Sequence, residues 1–216
     1  MCKDPKAQGP IDTSLKLTYG PIPGSNALRE NSCTGQHQDT RLVAEVIVVI
    51  QGAIGANLLA LYSLVGSNDH LLCVYPTYQQ LCEVPRSIGA EVSLWKQKES
   101  FIPNGDELIN LIRKNTEMTI INNPKNPAGA TIPNELGRIA QIAEEKSITL
   151  FSDEVYRRLF HGGVSGQIDI LKSATTLGYE RTITTGSMFK GCALARIRVG
   201  WIASKDKSII SAIMAA

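Results

Sequence analysis

The sequence has no excess of charge of either sign. Its 22 Lys and Arg face 20 Asp and Glu, the net charge is +2, and no basic block with interleaved aromatics occurs. A nearly neutral surface exerts no strong pull on nucleic acid or an acidic membrane, so neither is expected as a partner. Long apolar runs are missing too. Stretches such as Val46 to Ile50 fall far short of the roughly 20 residues that a spanning helix needs. The opening Met1-Cys2-Lys3-Asp4-Pro5 lacks the apolar heart of a signal peptide. The expectation is a soluble, cytoplasmic protein.

Cysteine is sparse and odd in number: Cys2, Cys33, Cys73, Cys82 and Cys192, with no Cys-x-x-Cys pair. These read as reduced thiols rather than a disulfide framework or a zinc site. The three histidines, His37, His70 and His161, are far apart, and no H-E-x-x-H occurs. There is no G-x-x-x-x-G-K-[ST] loop and no G-x-G-x-x-G after the first clear strand. Gly162 to Gly166 does not match G-x-S-x-G. Nucleotide-driven, metal-peptidase and serine-hydrolase chemistry therefore find no support.

What is present is an alternating pattern in a chain of 216 residues, 43% of them apolar. Residues 1–40, rich in Gly, Pro, Ser, Asn and Gln, read as irregular, with one short helix near Ala27 to Glu30. Strands are predicted at Val43 to Ile50, Leu71 to Tyr75, Glu91 to Trp95, Met118 to Asn122, Ile148 to Ser152, Arg181 to Thr185 and Ile197 to Ala203. A helix is predicted after the Gly52-Ala53-Ile54-Gly55 turn, to about Val65, and others from Pro76 to about Gly89, over Asp106 to Lys114, and from Pro133, at the first helical position, to Lys146. Such alternation predicts an α/β fold: a mostly parallel sheet with helices on both faces.

In sheets of this kind ligands bind beyond the carboxyl ends of the strands. Polar residues gather there: Gln51-Gly52, Thr77-Tyr78, Asn122-Asn123, Asp153, and Ser187 to Lys190. A lysine, an aspartate, an asparagine, a tyrosine and an arginine at strand ends suit an aldehyde cofactor. A lysine amine can hold the aldehyde, and a carboxylate can keep a ring nitrogen protonated. Backbone N–H groups at a helix start, with a cation, can hold a phosphate.

Four segments carry a family resemblance. Asn122-Asn123-Pro124-Lys125-Asn126-Pro127-Ala128-Gly129 resembles N-P-x-N-P-T-G, and Ser152-Asp153-Glu154-Val155-Tyr156 resembles S-D-E-V-Y. Gly186-Ser187-Met188-Phe189-Lys190 resembles G-S-M-S-K, and Arg196 to Trp201 resembles G-x-R-x-G-W. In this order and spacing they are similar to the fold-type I, class I/II aminotransferases, which use pyridoxal 5'-phosphate (PLP).

The resemblance implies a role for each matching position. Lys190 would be the cofactor lysine and proton shuttle, and Asp153 the partner of the ring nitrogen. Asn126 and Tyr156 would bond the phenolic oxygen, and Tyr78 would stack on the ring. Ala53, Ile54, Ser187 and Arg198 would hold the phosphate. Tyr19 would reach a neighbouring subunit's phosphate site, which implies a homodimer with shared active sites. The substrates implied are an amino acid and a 2-oxo acid, in general or specialised (secondary-metabolite) biosynthesis.

The same resemblance implies that residues 41–216 are an incomplete PLP-binding large domain, with the C-terminal small domain and its carboxylate-gripping arginine absent. Phe189 stands where the family has a small residue. Arg196 stands where it has a glycine, a strained place for arginine if φ is positive. A lyase or cyclising enzyme of the same family, or an inactive truncated homologue, are the alternatives.

Overall fold

A computed structural model describes residues 19–32, 43–97, 101–132, 134–159 and 171–216. Pro133 and most of segment 1–40 lie outside them. Seven strands form one sheet: β1 (Ile47–Ile50), β2 (His70–Tyr75), β3 (Glu91–Lys96), β4 (Thr116–Asn122), β5 (Thr149–Asp153), β6 (Thr182–Ser187) and β7 (Gly200–Ser204). The spatial order is β1-β7-β6-β5-β4-β2-β3. Pairing is parallel from β3 across to β6, whereas β7 is antiparallel to both its neighbours. Only β7 is reversed, so β1, β2, β4, β5 and β6 all end on one edge and β7 begins there.

Alternating side chains cover the two faces, as period-2 geometry requires. Leu71, Cys73, Ile120, Phe151, Ile183 and Ile202 pack on one face with α2 (Gly52–Leu64), α3 (Gln80–Ile88) and α7 (Lys207–Ala215). Leu72, Val74, Ile121 and Leu150 pack on the other with α4 (Gly105–Leu111) and α5 (Glu135–Glu145). The expected α/β architecture is therefore present. Helix starts follow local chemistry: Asn104 accepts from Asp106 N to cap α4, and Asp206 accepts from Ser208 N to cap α7. Gly89 ends α3 at φ +97°, a left-handed turn that favours glycine. The short helices α1 (Asn26–Ser32) and α6 (Met188–Gly191) are the other α-helices among the described residues.

Several predicted boundaries shift, and α2 takes in the Gly52-Ala53-Ile54-Gly55 segment expected to precede it. Residues Ala44–Val46 form a 3₁₀ turn and not the start of β1. The helix expected from Pro76 starts at Gln80, because Thr77 is held by a 3.0 Å hydrogen bond to Asn122 Oδ1 and the Tyr78 carbonyl accepts from Leu81 N. The strand expected from Ile197 starts at Gly200, because Arg198 has φ +56°. The left-handed backbone that threatened Arg196 thus falls on Arg198, and on Ala193 at +54°. α7 had no counterpart in the sequence reading.

Just past β5 a buried ion pair ties down the chain. Arg157 Nε lies 3.3 Å from Glu154 Oε2. Glu154 Oε1 also accepts from Ala174 N, and Arg157 Nη1 donates to the Leu171 carbonyl. Burial pushes the Glu154 carboxyl up, and the Arg157 guanidinium opposes this. Removing one partner leaves the other charge buried alone. Glu154→Ala should lower unfolding free energy by about 3–5 kcal/mol in a urea melt of the cofactor-free chain, and Glu154→Gln by less. Equal stability of Glu154→Ala and the parent would refute a structural role for the pair.

Candidate active site

The carboxyl edge of the sheet opens into a cavity of about 340 Å³. It is lined by Ala53, Ile54 and Asn57 from α2, by Tyr78, Asn122 and Asn126, by Asp153, Val155 and Tyr156 after β5, and by Ser187, Phe189, Lys190 and Arg198. Strand register explains the convergence. Asp153 pairs with Asn122 on one side and Thr185 on the other, while Gly200 pairs with Ile50 and with Ser187. Side chains some 140 residues apart in sequence thus face one volume. All the residues expected from sequence line it except Tyr19, which is fully exposed on its own chain.

Asp153 closes the inner end. Its carboxylate is buried and accepts from Val155 N at 3.0 Å and from Asn57 Nδ2 at 2.9 Å. Among the described residues no cation pairs with it. Burial pushes its pKa up, and the two hydrogen bonds pull it part of the way back. Asn57 is in turn fixed by Thr185 Oγ1, which donates to Asn57 Oδ1 at 2.6 Å. Sequence reasoning missed Asn57. Its only signal was one amide in the otherwise apolar run Ala53 to Leu61.

The opposite side is built for an anion. α2 points its first turn into the cavity, and Gln51, which precedes it, provides no side-chain cap, so free N–H groups remain there. The Arg198 guanidinium lies against Gly52, where a Cβ would come within 2.8 Å of Nη2. A Cβ on Gly200 would collide with the Gly52 backbone. These two glycines let helix and strand meet closely enough to form the cradle. Ser187 lies beside it and caps α6 by accepting from Phe189 N at 3.3 Å.

Lys190 sits between these ends, its Nζ 5.4 Å from the Tyr156 ring centroid and 4.7 Å from that of Phe189. The Arg198 guanidinium is 5.6 Å from the same Phe189 ring. The aromatic residue that stands in place of a small one thus faces two cations, as ring quadrupoles favour.

The donor set fits PLP. The buried carboxylate suits a protonated ring nitrogen, the lysine an aldehyde, and the cradle a phosphate. Asn126 and Tyr156 offer hydrogen-bonding groups between them, and the volume is that of a small-molecule site.

These features define an α/β protein with a cofactor cavity at its strand ends. The sequence profile of the family "Aminotransferase class I and II" matches residues 10–216, and the chain belongs to that family, whose cofactor is PLP. An aspartate aminotransferase of Pyrococcus horikoshii is 31% identical over 169 residues, 76% of this chain and 42% of that protein. The crystal structure of a PLP-dependent aminotransferase from Streptococcus suis superposes with a TM-score of 0.80 at 37% identity, covering 93% of this chain and 51% of that one. Aspartate aminotransferase from Thermus thermophilus with maleate superposes with a TM-score of 0.83 at 25% identity, covering 92% and 51%. The chain thus spans about half the length of these relatives. No helix among the described residues is long and apolar enough to cross a membrane.

Lys125, within the Asn-Pro motif, is a second lysine near the site but has a different environment. It is buried, its Nζ donates to the Phe101 carbonyl at 3.1 Å, and burial lowers its pKa to about 8. A folded pKa below the unfolded one means that the charged form costs stability below pH 8. The cost fades as pH rises from about 8 toward the unfolded value near 10.5. Lys125→Met should therefore raise stability at pH 7 by roughly 1–3 kcal/mol, and its advantage should shrink by pH 10. Thermal melts of both proteins across that range test this. An advantage that grows with pH would contradict it.

Proposed function

We propose that this chain holds PLP in the strand-end cavity and works as an aminotransferase, moving an amino group between an amino acid and a 2-oxo acid. Lys190, Asp153 and Arg198 come from three separate segments and line one cavity, which supports this reading most directly. The named relatives, aspartate aminotransferases among them, support the reaction class.

When bound, PLP supplies the electron sink that stabilises the electron pair left as a substrate's α-proton departs. The protein's own groups do the rest. Lys190 binds the cofactor through its amine, then takes and returns the proton at the substrate's α-carbon. Asp153, fixed by Asn57 and Val155 N, holds the proton on the ring nitrogen. Asn126 and Tyr156 bond the phenolic oxygen, and Tyr78 covers the ring face. Ala53 and Ile54 at the start of α2, with Ser187 and Arg198, bind the phosphate. Tyr19, exposed on its own chain, reaches the phosphate site of a second copy in a homodimer. In domain terms, residues 41–216 are the cofactor-binding part.

Titration of the chain with PLP should produce the visible absorption of lysine-bound cofactor. Borohydride reduction followed by peptide mapping should place the cofactor on Lys190. Lys190→Ala should abolish both signals. Arg198→Ala should weaken PLP binding roughly tenfold to a hundredfold but leave pyridoxal, which has no phosphate, nearly unaffected. Product formed from an amino acid only when a 2-oxo acid is present marks an aminotransferase, and product formed without it a lyase. A folded sample that gives no absorption band would refute the proposal.

A further inference from the structure

Cys73 and Cys82 are nine residues apart in sequence and were read as separate reduced thiols. Both are free and buried, yet their sulfurs lie 2.9 Å apart, in direct contact. Cys73 is held in mid-strand, in register with Leu94 on one side and Ile120 on the other. Cys82 is in the first turn of α3. The segment between them, residues 74–81, is the β2–α3 turn that carries Thr77 and Tyr78 to the cavity wall.

We propose that Cys73 and Cys82 form a reversible intrachain disulfide under hydroperoxide, and that this bond clamps the β2–α3 turn. Hydrogen peroxide is the oxidant. The Cys82 thiolate attacks one peroxide oxygen, the O–O bond breaks, and hydroxide leaves and takes up a proton as water, giving a sulfenic acid on Cys82. The Cys73 sulfur then attacks Cys82 Sγ, the S–O bond breaks, and a second water leaves with the Cys73 proton. Two thiols and one peroxide thus become one disulfide and two waters, and a thiol reductant reverses the change.

The order of attack follows from the surroundings. Burial pushes the Cys73 thiol up, whereas the thiol–thiol contact with Cys73 holds Cys82 down, helped by Arg86. Cys82 is also the more accessible residue, 5% exposed against 0% for Cys73. A bond here removes the freedom of the turn that presents Tyr78 to the cavity wall. The chemistry of the pair needs no cofactor, so it survives or fails separately from the PLP reading.

The test treats the whole chain with a small excess of hydrogen peroxide, blocks free thiols and maps peptides without reduction. The expected result is one link, Cys73 to Cys82, removed by dithiothreitol, absent in Cys73→Ser and Cys82→Ser, and kept in Cys192→Ser. Amide exchange at residues 75–81 should slow by roughly tenfold in the linked protein. Cys82 driven to sulfinic acid with no link, a link through any other cysteine, or unchanged exchange in the linked protein would each overturn the proposal. If a serine variant fails to fold, mapping and exchange on the parent chain decide the question alone.

Discussion

A buried carboxylate without a countercharge is the constraint on which the site depends. Asp153 ends β5 inside the protein, with two hydrogen bonds and, among the described residues, no cation beside it. Its folded pKa lies above the unfolded one, so its charged form costs the fold free energy. That cost rises as pH passes upward through the unfolded value and is complete above the folded one. A bound ring with a protonated nitrogen offsets it. The carboxylate is therefore a liability to the empty protein and an asset to the loaded one, as expected where function and stability compete.

The rest of the site keeps that carboxylate aimed and the cofactor in line with it. Asn57 reaches across from α2 and is itself oriented by Thr185 of the neighbouring strand, so helix and sheet must dock correctly for the carboxylate to be held. Reversal of β7 returns the chain to the same edge, bringing Arg198 and Gly200 to the start of α2. The two glycines at that junction have no Cβ because there is no room for one. Positive charge thus gathers at one end of the cavity and negative charge at the other, a polarity suited to a ligand that is a phosphate at one end and a cation at the other.

Much of this was legible in the sequence because it depends on strand ends. Apolar runs mark β2, β4 and β5 and β-branched residues mark β6, polar residues stand at their carboxyl ends, and topology brings those residues together. What was hidden depends on tertiary neighbours. Asn57 reads as one amide on an apolar helix until α2 is laid over β5 and β6. Cys73 and Cys82 read as unrelated thiols until β2 and α3 are packed. Nothing about Lys125 inside the Asn-Pro motif signals burial, yet it is buried. The start of β7 was misplaced because the left-handed backbone falls on Arg198, a residue type that gives no warning of it.

The most direct measurement is the stability of Asp153→Asn with and without PLP. The Asn57 amide can turn over, since the Thr185 hydroxyl can donate or accept, so residue 153 keeps a bond to Asn57 and one from Val155 N while the charge is lost. At pH 7 the cofactor-free variant should melt at or above the parent temperature. Its gain on adding PLP should be smaller, corresponding to at least about a tenfold loss of affinity, or roughly 1.4 kcal/mol. A variant that melts earlier without cofactor and gains as much from PLP as the parent would contradict the central role of this carboxylate.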